Sequence, residues 1–280
     1  MMKKRQLKLR NSSIRNILVC SFILYMPMSF TAPLSANINL PTNTLQTATT
    51  DANIDKPKVN PLSKVIPAYK ATYTVFHKSD AVGKAVRELE YLDNEKVVYR
   101  YNTSVKWFIF SQKREEFSYI NTKNLTALRP LSYQYTRSGT GKDKKYHWRF
   151  DAEKSKGYDL GRDRVIPLDF TGALQDKLSY HLQHRLNLIA DATKANYSYP
   201  VVNTSGHISD HIYVFDGKEE LILPYGTFKT IRLKREIKAK ERITYAWFAP
   251  DLNYLMVKLY QTKEGSEQFE AQLDDVTLNN

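Results

Sequence analysis

From residue 68 onward the chain alternates between apolar and polar positions. Tyr69, Ala71, Tyr73 and Val75 fall on one face, and Lys70, Thr72 and Thr74 on the other. Period two is the mark of a strand with one buried face. The same pattern predicts strands over 85–91, 96–103, 107–110, 115–121, 131–137 and 145–150. A second set follows over 196–202, 207–215, 219–223, 228–236, 243–248, 254–261 and 268–273. Turn-forming residues punctuate them at Asp93-Asn94, Gly139 to Asp143, Asp216-Gly217, Pro224-Tyr225-Gly226 and Glu264-Gly265. Connections this short favour antiparallel meanders over helical crossovers.

One stretch breaks the alternation. Over 172–190, Leu174, Leu178, Leu182, Leu186 and Ile189 recur at helical spacing and predict a single amphipathic helix. Asp169 or Thr171 is placed to cap its start. A lone helix among so many strands must bury its stripe against them. The predicted fold is therefore mainly β: a strongly curved antiparallel sheet or incomplete β-barrel capped by one amphipathic helix.

The N-terminal region is of another kind. Lys3, Lys4, Arg5, Lys8, Arg10 and Arg15 precede an apolar run from Ile17 to Met26, and small residues follow at Ser29, Thr31, Ser35 and Ala36. Basic segment, short apolar core and small-residue end predict a secretory signal peptide over 1–36, cleaved after Ala36. That implies export through the Sec pathway to the periplasm; the alternative is an uncleaved anchor in the inner membrane. Residues 37–67 are rich in Asn, Thr, Pro and Ala without periodicity and read as a disordered linker. The predicted organisation is thus signal 1–36, linker 37–67 and one β-rich domain over 68–276.

Charge changes meaning once this is recognised. The 280-residue chain carries 42 Lys and Arg against 29 Asp and Glu, a net +13. Six of those basic residues belong to 1–36, so the remainder carries 36 against 29, or +7. Nucleic acid, the usual partner of a basic protein, is not expected for an exported one. The single cysteine, Cys20, lies in the same segment, leaving the mature chain no thiolate and no disulfide.

Candidate chemistry is sparse. His181 and His184 stand three apart on the predicted helix, but no further ligand in a metal-binding pattern follows, and no metal or cofactor is expected. In a strand, His207, Ser209 and His211 share a face from which Asp210 points away, which disfavours a nucleophile relay. A hydrolase built on His207 or His211 is the weakest option. Gly139-Thr140-Gly141-Lys142 lacks phosphate-loop spacing and reads as a basic hairpin tip. Adjacent carboxylates such as Glu115-Glu116 point to opposite faces of a strand and cannot act as a pair. No catalytic residues are assigned. Lys142, Lys144, Lys145 and Arg149 instead form a basic surface suited to an anionic membrane.

Several phrases resemble one bacterial exported family. They are Tyr69-Lys-Ala-Thr-Tyr73, Val82-Gly83-Lys84-Ala85, Leu131-Ser-Tyr133-Gln-Tyr135 after Arg129-Pro130, and Asp176-Lys-Leu178-Ser179. Further along come Tyr199-Pro200-Val201-Val202, Leu223-Pro224-Tyr225-Gly226-Thr227-Phe228, and Trp247 to Val257. The last is similar to the family phrase Trp-x-Ala-Pro-x-Leu-x-Tyr-Leu-Pro-Val, with Met256 in place of the second proline. Together they resemble domain of unknown function 3108 over about 68–275. The resemblance implies a Gram-negative envelope protein and no assigned activity. By fold analogy alone, periplasmic lipoprotein carriers also cup a helix in a curved sheet.

The expected function is a periplasmic, non-enzymatic protein binding an apolar or amphipathic envelope ligand, lipid or lipoprotein-like, in a curved-sheet cavity. Tyr73, Tyr101, Trp107, Phe110, Trp148 and Trp247 are the candidate lining residues. The alternative is an envelope assembly or scaffold protein docking through basic hairpins and sheet edges.

Overall fold

The computed structural model describes residues 59–93 and 95–279. The expected signal peptide and most of the expected linker lie outside the described residues. Eight strands come first: β1 (Ala68–His77), β2 (Asp80–Tyr91), β3 (Lys96–Trp107), β4 (Phe110–Asn121), β5 (Arg129–Gly139), β6 (Lys144–Asp151), β7 (Lys156–Asp159) and β8 (Arg164–Pro167). The helix α1 (Ser179–Ala190) follows. Six more strands follow among the described residues: β9 (Asn196–Val202), β10 (Ile208–Leu223), β11 (Gly226–Ile237), β12 (Arg242–Ala249), β13 (Leu255–Lys263) and β14 (Ser266–Asn279).

All fourteen belong to one sheet in the order β8-β7-β6-β5-β4-β3-β2-β1-β14-β13-β12-β11-β10-β9. Every neighbouring pair is antiparallel, and β1 pairs with β14, so the two ends of the domain meet mid-sheet. The sheet is an incomplete barrel. Its free edges, β8 and β9, share no ladder; side chains of β8 and β6 reach the β9–β10 connection instead. Arg164 donates to the Ser205 carbonyl at 2.9 Å, and Trp148 Nε1 to the Thr204 carbonyl at 3.3 Å. Gly206 makes this seam possible: at φ +89°, an added Cβ would lie 2.5 Å from Ile166 Cδ1 and 3.2 Å from the Trp148 ring. The parallel bridge from Gln175 to Val201 covers part of the β9 edge.

Alternation explains the core. Tyr69, Ala71, Tyr73 and Val75 of β1 all point inward, level with Leu89, Ala85 and Gly83 of β2. The high tyrosine content is an interior feature: Tyr69, Tyr73, Tyr99, Tyr133, Tyr180, Tyr197, Tyr199 and Tyr213 are buried. Their hydroxyls find partners inside, as burial requires. Tyr73 donates to the Met256 carbonyl at 2.8 Å, and the Tyr69 and Tyr99 hydroxyls lie 3.1 Å apart.

The expected helix and linker are both corrected. The helix begins at Ser179, seven residues later than predicted from 172, and its cap is neither Asp169 nor Thr171. Asp176 Oδ1 accepts the backbone N–H groups of Leu178 and Ser179 at 2.7 Å each, while Ser179 Oγ accepts that of Asp176 at 2.9 Å. Reciprocal bonds of this kind start the helix where the carboxylate sits. The helix does not lay a single stripe on the sheet. Ser179, Tyr180, Gln183, His184 and Arg185 are buried along with Leu182, Leu186 and Leu188, because the barrel wraps around it. The linker likewise ends sooner than Pro67. Asn60 accepts from the Leu62 N–H and the Thr122 hydroxyl, a 3-10 turn spans Pro61–Lys64, and Leu62 and Ile66 are fully buried.

Candidate functional site

In an up-and-down antiparallel sheet, alternate hairpin turns lie at the same end. The β1–β2, β3–β4, β5–β6, β11–β12 and β13–β14 turns share one end of this barrel. The helix occupies the other, where Arg185 donates to the carbonyls of Leu252 and Asn253 and Gln183 Oε1 accepts from the Leu128 N–H. Residues that would face the lumen at the turn-rich end therefore have no helix to pack on. They enclose a cavity of about 630 Å³.

Its walls are apolar and aromatic: Val75 and Val82, Val105 and Trp107 of β3, Phe110 of β4, and Phe269 of β14. All of the β3 contributors sit on one parity, opposite Gln112, Arg114 and Glu116 of β4. Polar groups join them at Gln112, Arg114, Arg242 and Gln261. The cavity narrows inward to a cationic floor. Arg114 pairs with Glu116, whose other oxygen accepts the Tyr133 hydroxyl, and lies over the rings of Tyr101 at 5.5 Å and Tyr135 at 5.4 Å. Below it, Arg87 is level with Tyr101 in the strand register and buried. Its guanidinium lies over the rings of Tyr101 at 5.3 Å and Tyr99 at 5.9 Å, and its Nε has no hydrogen-bond partner. A buried cation held only by aromatic faces is costly. Lys177 adds an ammonium over the Tyr135 ring at 5.6 Å, with its pKa pulled below the ordinary lysine range by burial.

Three imidazoles pack on the helix side of this floor, His181 and His184 of α1 and His211 of β10. Burial pushes His184 down to about 3, and its Nδ1 lies 2.8 Å from the Tyr199 hydroxyl. His211 is likewise pushed down to about 3 by burial, with its ring edge-on to Tyr180 at 4.8 Å. Burial lowers His181 well below its ordinary value too. At neutral pH these rings are uncharged packing elements. Asp176, on the helix cap, moves the other way: burial raises it to about 6, against the bonds it accepts from Ser118, Ser179 and Leu178.

Of the six expected lining residues, Tyr101, Trp107 and Phe110 meet at the mouth. The other three do not join them. Tyr73 is buried core bonded to Met256, and Trp148 packs at the seam beside Phe150 and Gly206. Trp247 faces the opposite side of the sheet, where Nε1 donates to Glu219 at 2.7 Å beside Arg232 and Lys258. Of the basic surface, Lys142, Lys144 and Lys145 are exposed at the mouth end on and beside the β5–β6 turn. Arg149 lies further along β6, with its guanidinium 4.3 Å over the Tyr158 ring.

The predicted strand over 107–110 is corrected to a hairpin tip. Trp107 ends β3, Phe110 starts β4, and Phe108-Ile109 forms the turn between them. Phe108 and Ile109 are 83% and 88% exposed, and Trp107 and Phe110 40% and 38%. Phe108 adopts φ 51°, a left-handed conformation costing a bulky side chain roughly 1–2 kcal/mol. Sequence reasoning missed this tip and the inward charges. Parity alone could have found Arg87, which falls on the face of Ala85 and Leu89.

A solved structure shares the fold. A β-barrel-like protein of domain of unknown function DUF1849 from Brucella abortus superposes with TM-score 0.54 at 10% identity, covering 77% of this chain and 99% of that one. A DUF1089 family protein from Pseudomonas aeruginosa aligns with TM-score 0.35 at 11% identity, over 68% of this chain and 93% of the other. Among curated proteins, no sequence matches. The sequence profile described as "Protein of unknown function (DUF3108)" matches residues 68–272, and the chain belongs to that family.

Proposed function

We propose that the protein is a non-enzymatic binding protein of the periplasm whose open mouth takes up an amphipathic envelope molecule with an anionic head group. The carrying observation is the combination of an apolar-walled cavity of about 630 Å³ with the unpartnered Arg87 beneath it. That volume falls within the ~300–1,000 Å³ of ordinary small-molecule sites. An acyl chain would lie against Val75, Val82, Val105 and Phe269, with its head directed to Arg114, Arg242 and Arg87. Export is expected from the basic, apolar and small-residue order of 1–36. Docking through sheet edges has less support. The β8 edge is only four residues long, and β9 is partly covered by Gln175.

The test is titration with a fluorescent long-chain fatty acid and its uncharged alcohol analogue. The acid is expected to bind roughly tenfold more tightly than the alcohol, the scale of one charge-assisted hydrogen bond. Arg87→Met should erase that preference and leave the fold as stable or more so, because it removes a poorly compensated buried charge. Thr103→Trp should block both ligands. Equal binding by the Thr103→Trp variant would sink the proposal.

A further inference from the structure

We infer that the Trp107–Phe110 hairpin tip is a membrane-inserting anchor whose partner is a phospholipid bilayer with anionic head groups. An apolar residue exposed singly is ordinary. Four consecutive ones projecting from a hairpin are not, and Phe108 and Ile109 are almost entirely in solvent. The backbone gives no folding reason for them. A two-residue hairpin turn with positive φ at its first position alone is served best by glycine there, yet Phe108 occupies that position at φ 51°. A strained conformation that displays a phenyl ring outward points to use at the surface.

The tip is braced. The His77 ring packs edge-on against Trp107 at 4.7 Å from the β1–β2 side. From the other side, Thr140 Oγ1 accepts the Ser111 N–H at 2.9 Å, and the Thr140 N–H donates to the Ser111 carbonyl at 2.7 Å. The tip therefore arrives at a partner as a preformed wedge. The bonds to Thr140 also dock the β5–β6 turn beside it, bringing Lys142, Lys144 and Lys145 to its flank, with Lys106 on the hairpin itself and Lys78 on the β1–β2 turn. Asp80 and Asp143 lie beside the same turns, and Glu267 at the start of β14 accepts the Lys78 N–H at 2.6 Å, so the surplus there is basic but not unopposed. Aromatic and aliphatic side chains at the centre with lysines around them match an acyl boundary beneath anionic head groups. A protein partner with an apolar pocket would not require the lysine surround.

The experiment uses the full chain and vesicles of phosphatidylcholine, with or without phosphatidylglycerol, some carrying brominated acyl chains. Trp148 and Trp247 are buried, so a vesicle-dependent tryptophan signal reports Trp107. Its fluorescence should shift to the blue and be quenched by brominated lipid, more strongly with phosphatidylglycerol and less in high salt. Phe108→Gly with Ile109→Asn gives this turn its preferred residues, so the melting temperature should hold or rise. Quenching should vanish and the tip's share of vesicle affinity fall by roughly tenfold or more. Neutralising Lys142, Lys144 and Lys145 to Gln should reduce the preference for phosphatidylglycerol by up to about fivefold per charge. Absence of Trp107 quenching overturns the inference, even if another part of the chain binds vesicles. So does a solution dimer that the Gly-Asn variant dissolves, which would assign the tip to a second copy. Fatty-acid binding in vesicle-free solution is unaffected by either failure.

Discussion

At the end of the barrel where β1 begins, the lumen is filled by α1, its cap at Asp176 and a cluster of tyrosine and histidine rings. At the end where β1 stops, the same inward-facing parity continues, but the lumen holds a cavity and opens beside an aromatic tip. The strands do not change character between the two ends; what fills the space between them does. Alternation specifies which side chains face inward and leaves open whether they meet protein or something else. The plugged half accounts for stability, and the open half retains unpaired charge and exposed apolar surface that stability alone would select against.

The sharpest way to separate the halves is acid. His181, His184 and His211 have folded pKa values depressed by burial, so each binds a proton more readily in the unfolded chain. Their contribution is complete above about pH 6.5 and is lost as pH falls toward 3. Asp176 opposes them: raised from 3.8 to about 6, it favours folding most below 3.8 and loses that contribution as pH rises to 6. With three groups against one, stability is expected to fall on acidification, as followed by chemical denaturation across the range. Hydrogen exchange should show the plugged end losing protection first. His184→Phe, which keeps the stack on Tyr213, should flatten the profile. If acid released the mouth strands before the helix, the division of labour would be wrong.

Leu182→Ala comes next. Leu182 is fully buried on α1, and its truncation should cost about 2–5 kcal/mol by denaturant titration. Fatty-acid binding at the mouth should survive in the fraction that stays folded. Gly206→Ala tests the seam, where strain at φ +89° and the approach to Ile166 should cost about 1–3 kcal/mol. Removing the exposed Lys84–Asp274 pair by Lys84→Met should change stability by no more than about 1 kcal/mol.

The fold was largely legible because a barrel has one dominant signal. Tyr69 to Val75 reads as β1 from four residues of alternation, and Asn196–Val202 matches β9 at both ends. The misses share a cause, too short a pattern or a pattern with two solutions. At four residues each, β7 and β8 offer too little alternation to register. Asp216-Gly217 carries turn residues, yet it is a bulge inside β10, because pairing with β11 resumes at once on either side. Residues 107–110 form an apolar run that periodicity cannot tell from a core strand; the turn geometry, with Trp107 paired to Phe110 and Phe108 at positive φ, does so. The site was half legible for the same reason. Ala246, Trp247, Phe248 and Ala249 are all buried, so parity gave no warning that Trp247 looks outward. Arg87 carried the clearest unread signal, a charge on a face otherwise apolar.

The pairing of β1 with β14 has a consequence for how the chain comes to be folded. β1 begins at Ala68 and its partner ends at Asn279, so the central pair of the sheet joins residues about two hundred positions apart. Until that last strand is present, β1 and β13 are bare edges, and neither half of the meander can settle against the other. Contacts this distant in sequence form late and slowly. The barrel therefore remains unfinished until β14 is free to pair with both neighbours. Loss of β14 alone would leave two sticky half-sheets instead of a slightly smaller barrel.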